Sequence, residues 1–139
     1  KFLHFKGARQ PTGIIVTPEV GATVVTGLSF TTANDAPERD PAAFALYGSN
    51  KGVDGPWALI AEGDIDDFTR PLAWPRRWKN VTPIGFANSV PYTNYKVMVT
   101  SVRAPSSANS MQVAEIELRA ALMLLEIQDG VVSSTPLSL

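Results

Sequence analysis

The chain has 139 residues, a net charge of −1 and no cysteine. This length suits one domain with a sizeable core, and a composition of 45% hydrophobic and 18% charged residues is that of an ordinary globular protein. The charge leaves no surplus of cations to neutralise phosphates, which argues against nucleic-acid binding. The lack of cysteine excludes disulfides, thiol nucleophiles and cysteine-ligated metals.

The early part of the chain predicts short β-strands separated by proline and glycine. Residues 13–17 are β-branched, and residues 24–32 alternate with Val24, Thr26, Leu28 and Phe30 on one face. Two further strands are predicted over residues 43–48, with Phe44 and Leu46 pointing inward, and over residues 57–61.

The later part continues the same pattern. Tyr95, Val97 and Val99 share one face of a strand, and residues 111–118 alternate with Glu115 and Glu117 on one side. Helix propensity rises only over residues 114–128, and residues 133–136 have the composition of a linker start. Many short strands with turn signals predict an all-β, antiparallel β-sandwich.

No apolar run is long enough to cross a bilayer, since the longest, residues 120–125, ends at Glu126. The first residues lack the apolar region and cleavage site of a signal peptide. We therefore expect the chain to be a processed or excised piece of a multidomain protein.

Four segments, in this order, carry a resemblance to a known family. Residues 34–41 read NDAPERDP, 46–50 LYGSN, 55–57 GPW and 111–118 MQVAEIEL. Together they resemble the galactose-binding-like superfamily, which includes discoidin domains and carbohydrate-binding modules attached to bacterial glycosidases. The resemblance implies a jelly-roll domain over residues 1–119, with residues 120–139 as a C-terminal extension or linker. It also implies a secreted, extracellular, non-catalytic module that binds carbohydrate.

The aromatic residues of these segments are interpreted as core residues. Trp57 opens a strand and is expected to fill the core rather than to stack on a sugar. Phe86, Tyr92 and Tyr95 are expected in the core as well, with the tyrosine hydroxyl groups bonded to the backbone.

Two candidate ligand-binding positions follow from the resemblance. Sugar-binding relatives have a Trp-His pair, and here His4 follows Leu3 instead of tryptophan; the alternative is a half-buried histidine without a ligand. An arginine comparable to Arg39 donates its planar fork to sugar hydroxyl groups in such relatives. Alternatively, Arg39 pairs with Asp35 or Asp40 and braces the loop, and Asp35 could orient it for a ligand.

A third candidate is the tryptophan-rich segment over residues 72–79. Trp74 and Trp78, with Arg76 between them, are flanked by proline and cations, so one exposed ring could form a platform for a pyranose. The alternative is that both rings cap the sandwich beneath stacked arginines.

The acidic residues at positions 115 and 117 allow two further interpretations. The resemblance implies a structural calcium held by Glu115 and the carbonyl of Ala114, with the other ligands in a loop upstream of Lys1. Alternatively, Glu115 and Glu117 could act as a glycosidase pair, which in retaining enzymes requires carboxyl groups about 5 Å apart. This strand lacks the third acid of laminarinase-type enzymes, and no nucleophile elbow is present.

Three functions remain open at this point. The first is a carbohydrate-binding module, the second is a protein- or surface-adhesion module of the same fold, and the third is a small polysaccharide-degrading enzyme. Exposed apolar residues at loop tips would favour adhesion, whereas a polar-lined aromatic groove would favour sugar binding.

Overall fold

A computed structural model of the chain describes residues 1–69, 78, 81–121, 123–128 and 131–136. The described part is built almost entirely of β-strands, so the predicted all-β class is confirmed. Its helical elements are one 3-10 turn, Pro37–Arg39, and one four-residue helix, α1 (Asp66–Thr69). The strands, in chain order, are β1 (Phe2–His4), β2 (Thr12–Val16), β3 (Val25–Thr31), β4 (Pro41–Ser49), β5 (Ala58–Asp64), β6 (Ile84–Gly85), β7 (Asn94–Val102), β8 (Met111–Val113), β9 (Glu115–Ala120), β10 (Met123–Gln128) and β11 (Val131–Pro136).

The strands form two larger antiparallel sheets and two ribbons. One sheet has the order β2-β7-β4-β5, and the other has the order β6-β3-β9. The ribbons are β1 with β8 and β10 with β11. Every pairing among these strands is antiparallel.

The core lies between the inward faces of the two larger sheets. Phe30 of β3 and Phe44 of β4 meet there with ring centroids 6.3 Å apart. The predicted inward residues of β4 and β7 are confirmed, because they are buried in one cluster: Phe44, Leu46, Tyr95, Val97 and Val99. Two sheets sharing one apolar core are the arrangement of an antiparallel β-sandwich.

A β-bulge corrects the predicted face of β3. The pairing of β3 with β9 shifts register between Val25 and Gly27. A bulge adds one residue to a strand. The side chains that follow it therefore point to the opposite sheet face from the one that simple alternation predicts. Val25 therefore joins Leu28 and Phe30 in the core cluster, whereas Val24, predicted to share their face, is buried but outside that cluster.

The predicted strand over residues 111–118 is divided in two. Ala114 separates β8 from β9, and its N–H donates to the carbonyl of Thr31 at 2.8 Å. Strand β8 therefore pairs with β1, whereas β9 pairs with β3. Ile116 and Leu118 of β9 pack against the core, while Glu115 and Glu117 are exposed, as the alternation predicted.

The placement of Trp57 in the core is wrong. Trp57 is half-buried, and the ammonium group of Lys96 lies 4.7 Å from its ring centroid. Lys96 alternates with the buried Tyr95 and Val97 on β7, so it points to the outer face of the sheet, and it also lies 5.0 Å from the ring of Tyr47. The tryptophan ring is thus covered by a cation on the outer face, a contact that aromatic rings favour.

The predicted core placement is confirmed for Tyr95, and Phe86 and Tyr92 pack at the edge of the core. Tyr95 is fully buried, and its hydroxyl group donates to the carbonyl of Thr23. Phe86 and Tyr92 pack against the core while partly exposed.

The C-terminal segment forms its own hairpin. Strands β10 and β11 pair from Met123 with Pro136 to Gln128 with Val131. The stretch over residues 133–136, expected as the start of a linker, lies in β11, and residues 123–128, part of the range 114–128 with raised helix propensity, lie in β10. Within the described residues, no helix has the length and apolar character needed to span a membrane.

Candidate functional site

The candidate site is the loop over residues 32–40, which joins β3 to β4. Its main chain is held by Gln112 of β8, whose Nε2 donates to the carbonyl of Asp35 and, at 3.0 Å, to that of Ala36. Gln112 is completely buried, so these bonds lie away from solvent. Ala36 has φ 44, in the left-handed region that residues with a Cβ rarely adopt. The loop is therefore fixed in a specific conformation by a residue of another strand.

The carboxylate of Asp35 is held by a second distant residue. The ammonium group of Lys1 lies 2.7 Å from Asp35 Oδ1 and donates at 3.2 Å to Asn34 Oδ1. The hydrogen bond from Lys1 lowers the pKa of Asp35, and the Lys1 charge, the side chain of Gln112 and the charge of Arg39 add to this effect, while desolvation opposes it. Asp35 is thereby an oriented anion with about half of its side chain exposed.

We expect the Lys1–Asp35 pair to stabilise the fold at neutral pH and to stop doing so in acid. Because folding lowers the pKa of Asp35 below its ordinary value of 3.8, the contribution is complete above that pH and is lost as pH falls through the lowered value. In Lys1→Met, an NMR titration should place the Asp35 midpoint closer to 3.8. Lys51→Met, which removes a distant exposed cation, should leave it in place, and an unchanged midpoint in Lys1→Met would contradict the assignment.

Arg39, at the end of the 3-10 turn, has one buried donor, Nε, without a hydrogen-bond partner. Its Nε lies 3.8 Å from Glu38 Oε1, which is close enough for charge attraction but too far for a hydrogen bond. Nε is buried with no acceptor, and a quarter of the side chain is exposed. A guanidinium group has five N–H donors, and a buried donor without an acceptor is costly. The exposed quarter of the Arg39 side chain is the part that a ligand could reach.

Trp78 lies beside the same loop. Its main-chain N–H donates to the carbonyl of Ala33 at 3.5 Å, and 56% of the residue is exposed. Its φ of 60 is again in the left-handed region, where a bulky residue is a genuine outlier. Among the described residues, Ala36 and Trp78 are the only non-glycine residues with positive φ. Backbone strain of this kind concentrates at functional sites.

The structure thus brings together three of the predicted ligand-binding residues. Asp35 and Arg39 belong to the loop, and Trp78 is bonded to it at Ala33. Asp35 pairs with Lys1, and the ion pair described for Arg39 is with Glu38, whereas the expected pairing was with Asp35 or Asp40. Trp74 and Arg76 lie outside the described residues.

His4 is placed differently. It ends β1, pairs with Met111, and its ring stacks near that of Phe2 with centroids 6.4 Å apart. Its Nδ1 is buried without a hydrogen-bond partner. The contacts described for His4 include neither Asp35 nor Arg39.

The two implied calcium ligands, Glu115 and the Ala114 carbonyl, lie at the junction of β8 and β9, and the calcium site stays a prediction. Glu115 is exposed at the start of β9, opposite Thr31, and Ala114 precedes it. Calcium takes six to eight oxygen ligands, whereas no group of three or more acidic or histidine side chains suited to a metal is found among the described residues. These residues do not fit the ion by themselves.

The two glutamates considered for catalysis lie on an open sheet face. Glu117 Oε2 accepts a hydrogen bond from Ser29 Oγ at 2.9 Å, which occupies one of the two carboxylates. Glu115 and Glu117 are two residues apart on β9 and project from the same face. Neither lines any of the cavities described below.

A cavity of about 410 Å³, which was not predicted from the sequence, lies at the loop after β1. It is lined by Phe5, Lys6, Ala8, Arg9, Gln10 and Asn109. The sequence signal is the run FKGARQ over residues 5–10. In it two small residues, glycine and alanine, separate an aromatic residue and a cation from a second cation and an amide. A further apolar cleft of about 340 Å³ lies between the ends of β2 and β9.

Comparison of the chain with protein-family models and with curated proteins finds no match.

Proposed function

We propose that the chain is a non-catalytic carbohydrate-binding module of the galactose-binding-like, jelly-roll class, carried by a larger secreted protein. The observation that supports this most is the loop over residues 32–40. It presents a partly exposed arginine, an oriented carboxylate and an exposed tryptophan bonded to the same loop.

Each of the three side chains has a role in this proposal. The ring of Trp78 packs on the C–H face of a pyranose, as exposed aromatic rings in ligand sites do. Arg39 donates to adjacent hydroxyl groups, and Asp35 accepts from one of them. A charged partner strengthens each bond, and the contact of Gln112 with the loop reduces the ordering required on binding.

The affinity of such a site is modest, because it is shallow and offers only a few polar groups. A weak module is useful when it is tethered to an enzyme, since tethering raises the effective concentration of the substrate surface. The proposed role is therefore attachment of a neighbouring domain to a glycan.

Affinity electrophoresis on neutral galactan, xylan and polygalacturonate tests this proposal. The wild type should be retarded by at least one polymer, and Arg39→Gln and Trp78→Ala should each weaken binding about tenfold or more. Arg119→Gln, which removes an exposed arginine from β9, is the charge-matched control and should bind as the wild type does. No retardation on any polymer, or full binding by both site variants, would overturn the proposal.

A second function is favoured by apolar loop tips at the other end of the sandwich. Val20, Val53 and Val90 are all exposed there, with Val20 at 84%. Their loops lie together, because Asn50 bonds to Pro91 and Thr17 bonds to Asn94. A surface-adhesion module predicts that the chain binds cells stripped of glycans and that changing the three valines to serine abolishes this binding.

A further inference from the structure

The loop that follows β1 has a small-residue anchor and an outward polar face. Ala8 is buried in the core, and a Cβ on Gly7 would lie 2.7 Å from Met111 Cβ and from Thr12 Cγ2. The Gly7 N–H donates to the His4 carbonyl at 3.0 Å, and the Arg9 N–H donates to the Lys6 carbonyl at 3.1 Å. The Gly7-Ala8 pair therefore fixes the loop against the core.

This anchoring directs the flanking residues toward the cavity of about 410 Å³. Lys6 and Arg9 begin and end a hydrogen-bonded turn, which keeps their main chains close together. A volume of this size lies within the range of small-ligand pockets. Because the turn is closed by its own hydrogen bonds, the cavity exists before any ligand binds.

The polar lining of the cavity is rich in donors. Lys6 and Arg9 carry positive charge, and no carboxylate is among the described residues that line the cavity. Asn109 Oδ1 accepts from Ser110 Oγ at 2.9 Å, and the Nδ2 of this amide adds two N–H donors. Among the described residues, neither Lys6 nor Arg9 takes part in an ion pair. Cationic donors without an acidic partner match an anion.

The cavity also has an aromatic wall. Phe5 is 73% exposed, so most of its apolar ring is in contact with water. Such exposure is unusual for a phenylalanine. Its ring offers the apolar face on which a pyranose ring packs, next to the cationic donors.

We propose that this cavity binds an anionic sugar, a pyranose that carries a carboxylate or a sulfate group. The ring packs on Phe5, Lys6 and Arg9 bind the anion, and Asn109 donates to a hydroxyl group. This inference rests on the proposed function in that the ligand is a glycan, but it concerns a second site that is separate from Arg39 and Trp78.

Three galactose-based polymers test the charge requirement: neutral galactan, sulfated galactan and polygalacturonate. The wild type should bind at least one anionic polymer about tenfold more tightly than neutral galactan, and the one preferred identifies sulfate or carboxylate as the ligand group. Phe5→Ala and Arg9→Gln should each remove most of this preference. Both side chains are on the surface, so thermal unfolding should stay close to that of the wild type.

Two control variants separate this inference from general charge effects and from the proposed function. Lys51→Gln removes an exposed cation elsewhere and should keep the preference for anionic polymers. If the preference is absent, or survives both Phe5→Ala and Arg9→Gln, the inference is wrong. If neutral galactan is bound and Arg39→Gln abolishes that binding, the proposed function still holds. If no polymer is bound at all, both are wrong.

Discussion

Replacing Phe30 by alanine is expected to lower the free energy of unfolding by about 3–5 kcal/mol, the usual cost of removing a buried aromatic side chain. Phe30 is completely buried and contacts Phe44 of the opposite sheet with centroids 6.3 Å apart. The substitution removes apolar burial and leaves a cavity at the point where the two sheets meet. Urea unfolding monitored by circular dichroism measures the change.

A surface leucine on β5 supplies the matched control for Phe30→Ala. Leu59 is 53% exposed, so Leu59→Ala should change the free energy of unfolding by no more than about 0.5 kcal/mol. Equal losses of unfolding free energy in the two variants would contradict the burial of Phe30 between the sheets and the exposure of Leu59.

Replacing Gln112 by alanine is expected to cost about 2–4 kcal/mol and to loosen the candidate site. The change removes the donor for the carbonyl groups of Asp35 and Ala36 and creates a cavity in a fully buried position. Binding by the loop should fall with it, because the loop would then be ordered only on association with ligand.

Gln112→Leu separates the two causes. Leucine keeps most of the side-chain volume but cannot donate a hydrogen bond, so its cost, about 1–3 kcal/mol, measures the unpaired carbonyl groups. Gln112 Nε2 donates to two carbonyl groups, whereas Oε1 accepts no hydrogen bond, so the loss lies on the donor side. Wild-type stability in Gln112→Leu would show that these hydrogen bonds contribute nothing.

Alternation of apolar residues was sufficient to predict the strands that span the core. In β7, each second residue from Tyr95 to Val99 is fully buried, because a strand in a sandwich has one face toward the opposite sheet. The same rule failed at β3, where the bulge between Val25 and Gly27 shifts the facing. A bulge depends on the pairing with β9, which lies about ninety residues later in the chain and leaves no periodic signal.

Local proximity also explains which parts of the site were predicted. Asp35 and Arg39 are four residues apart in one proline-bounded loop, so their association follows from the sequence. Lys1 and Gln112 reach that loop from 34 and 77 residues away, and only the fold brings them there. Trp57 was placed wrongly because tryptophan occurs both in cores and on surfaces where a lysine covers its ring. Here the ring lies under Lys96 on the outer face of the sheet, a contact that local sequence does not reveal.

The Gly7-Ala8 anchor has a consequence for engineering the chain. Because these two residues hold the loop while their neighbours face outward, the residues at 5, 6, 9 and 10 can be randomised together without touching the core. A library that keeps the small pair fixed should give mostly folded members with altered ligand preference. A library that varies Gly7 should give mostly unfolded ones, since any side chain there would collide with Met111.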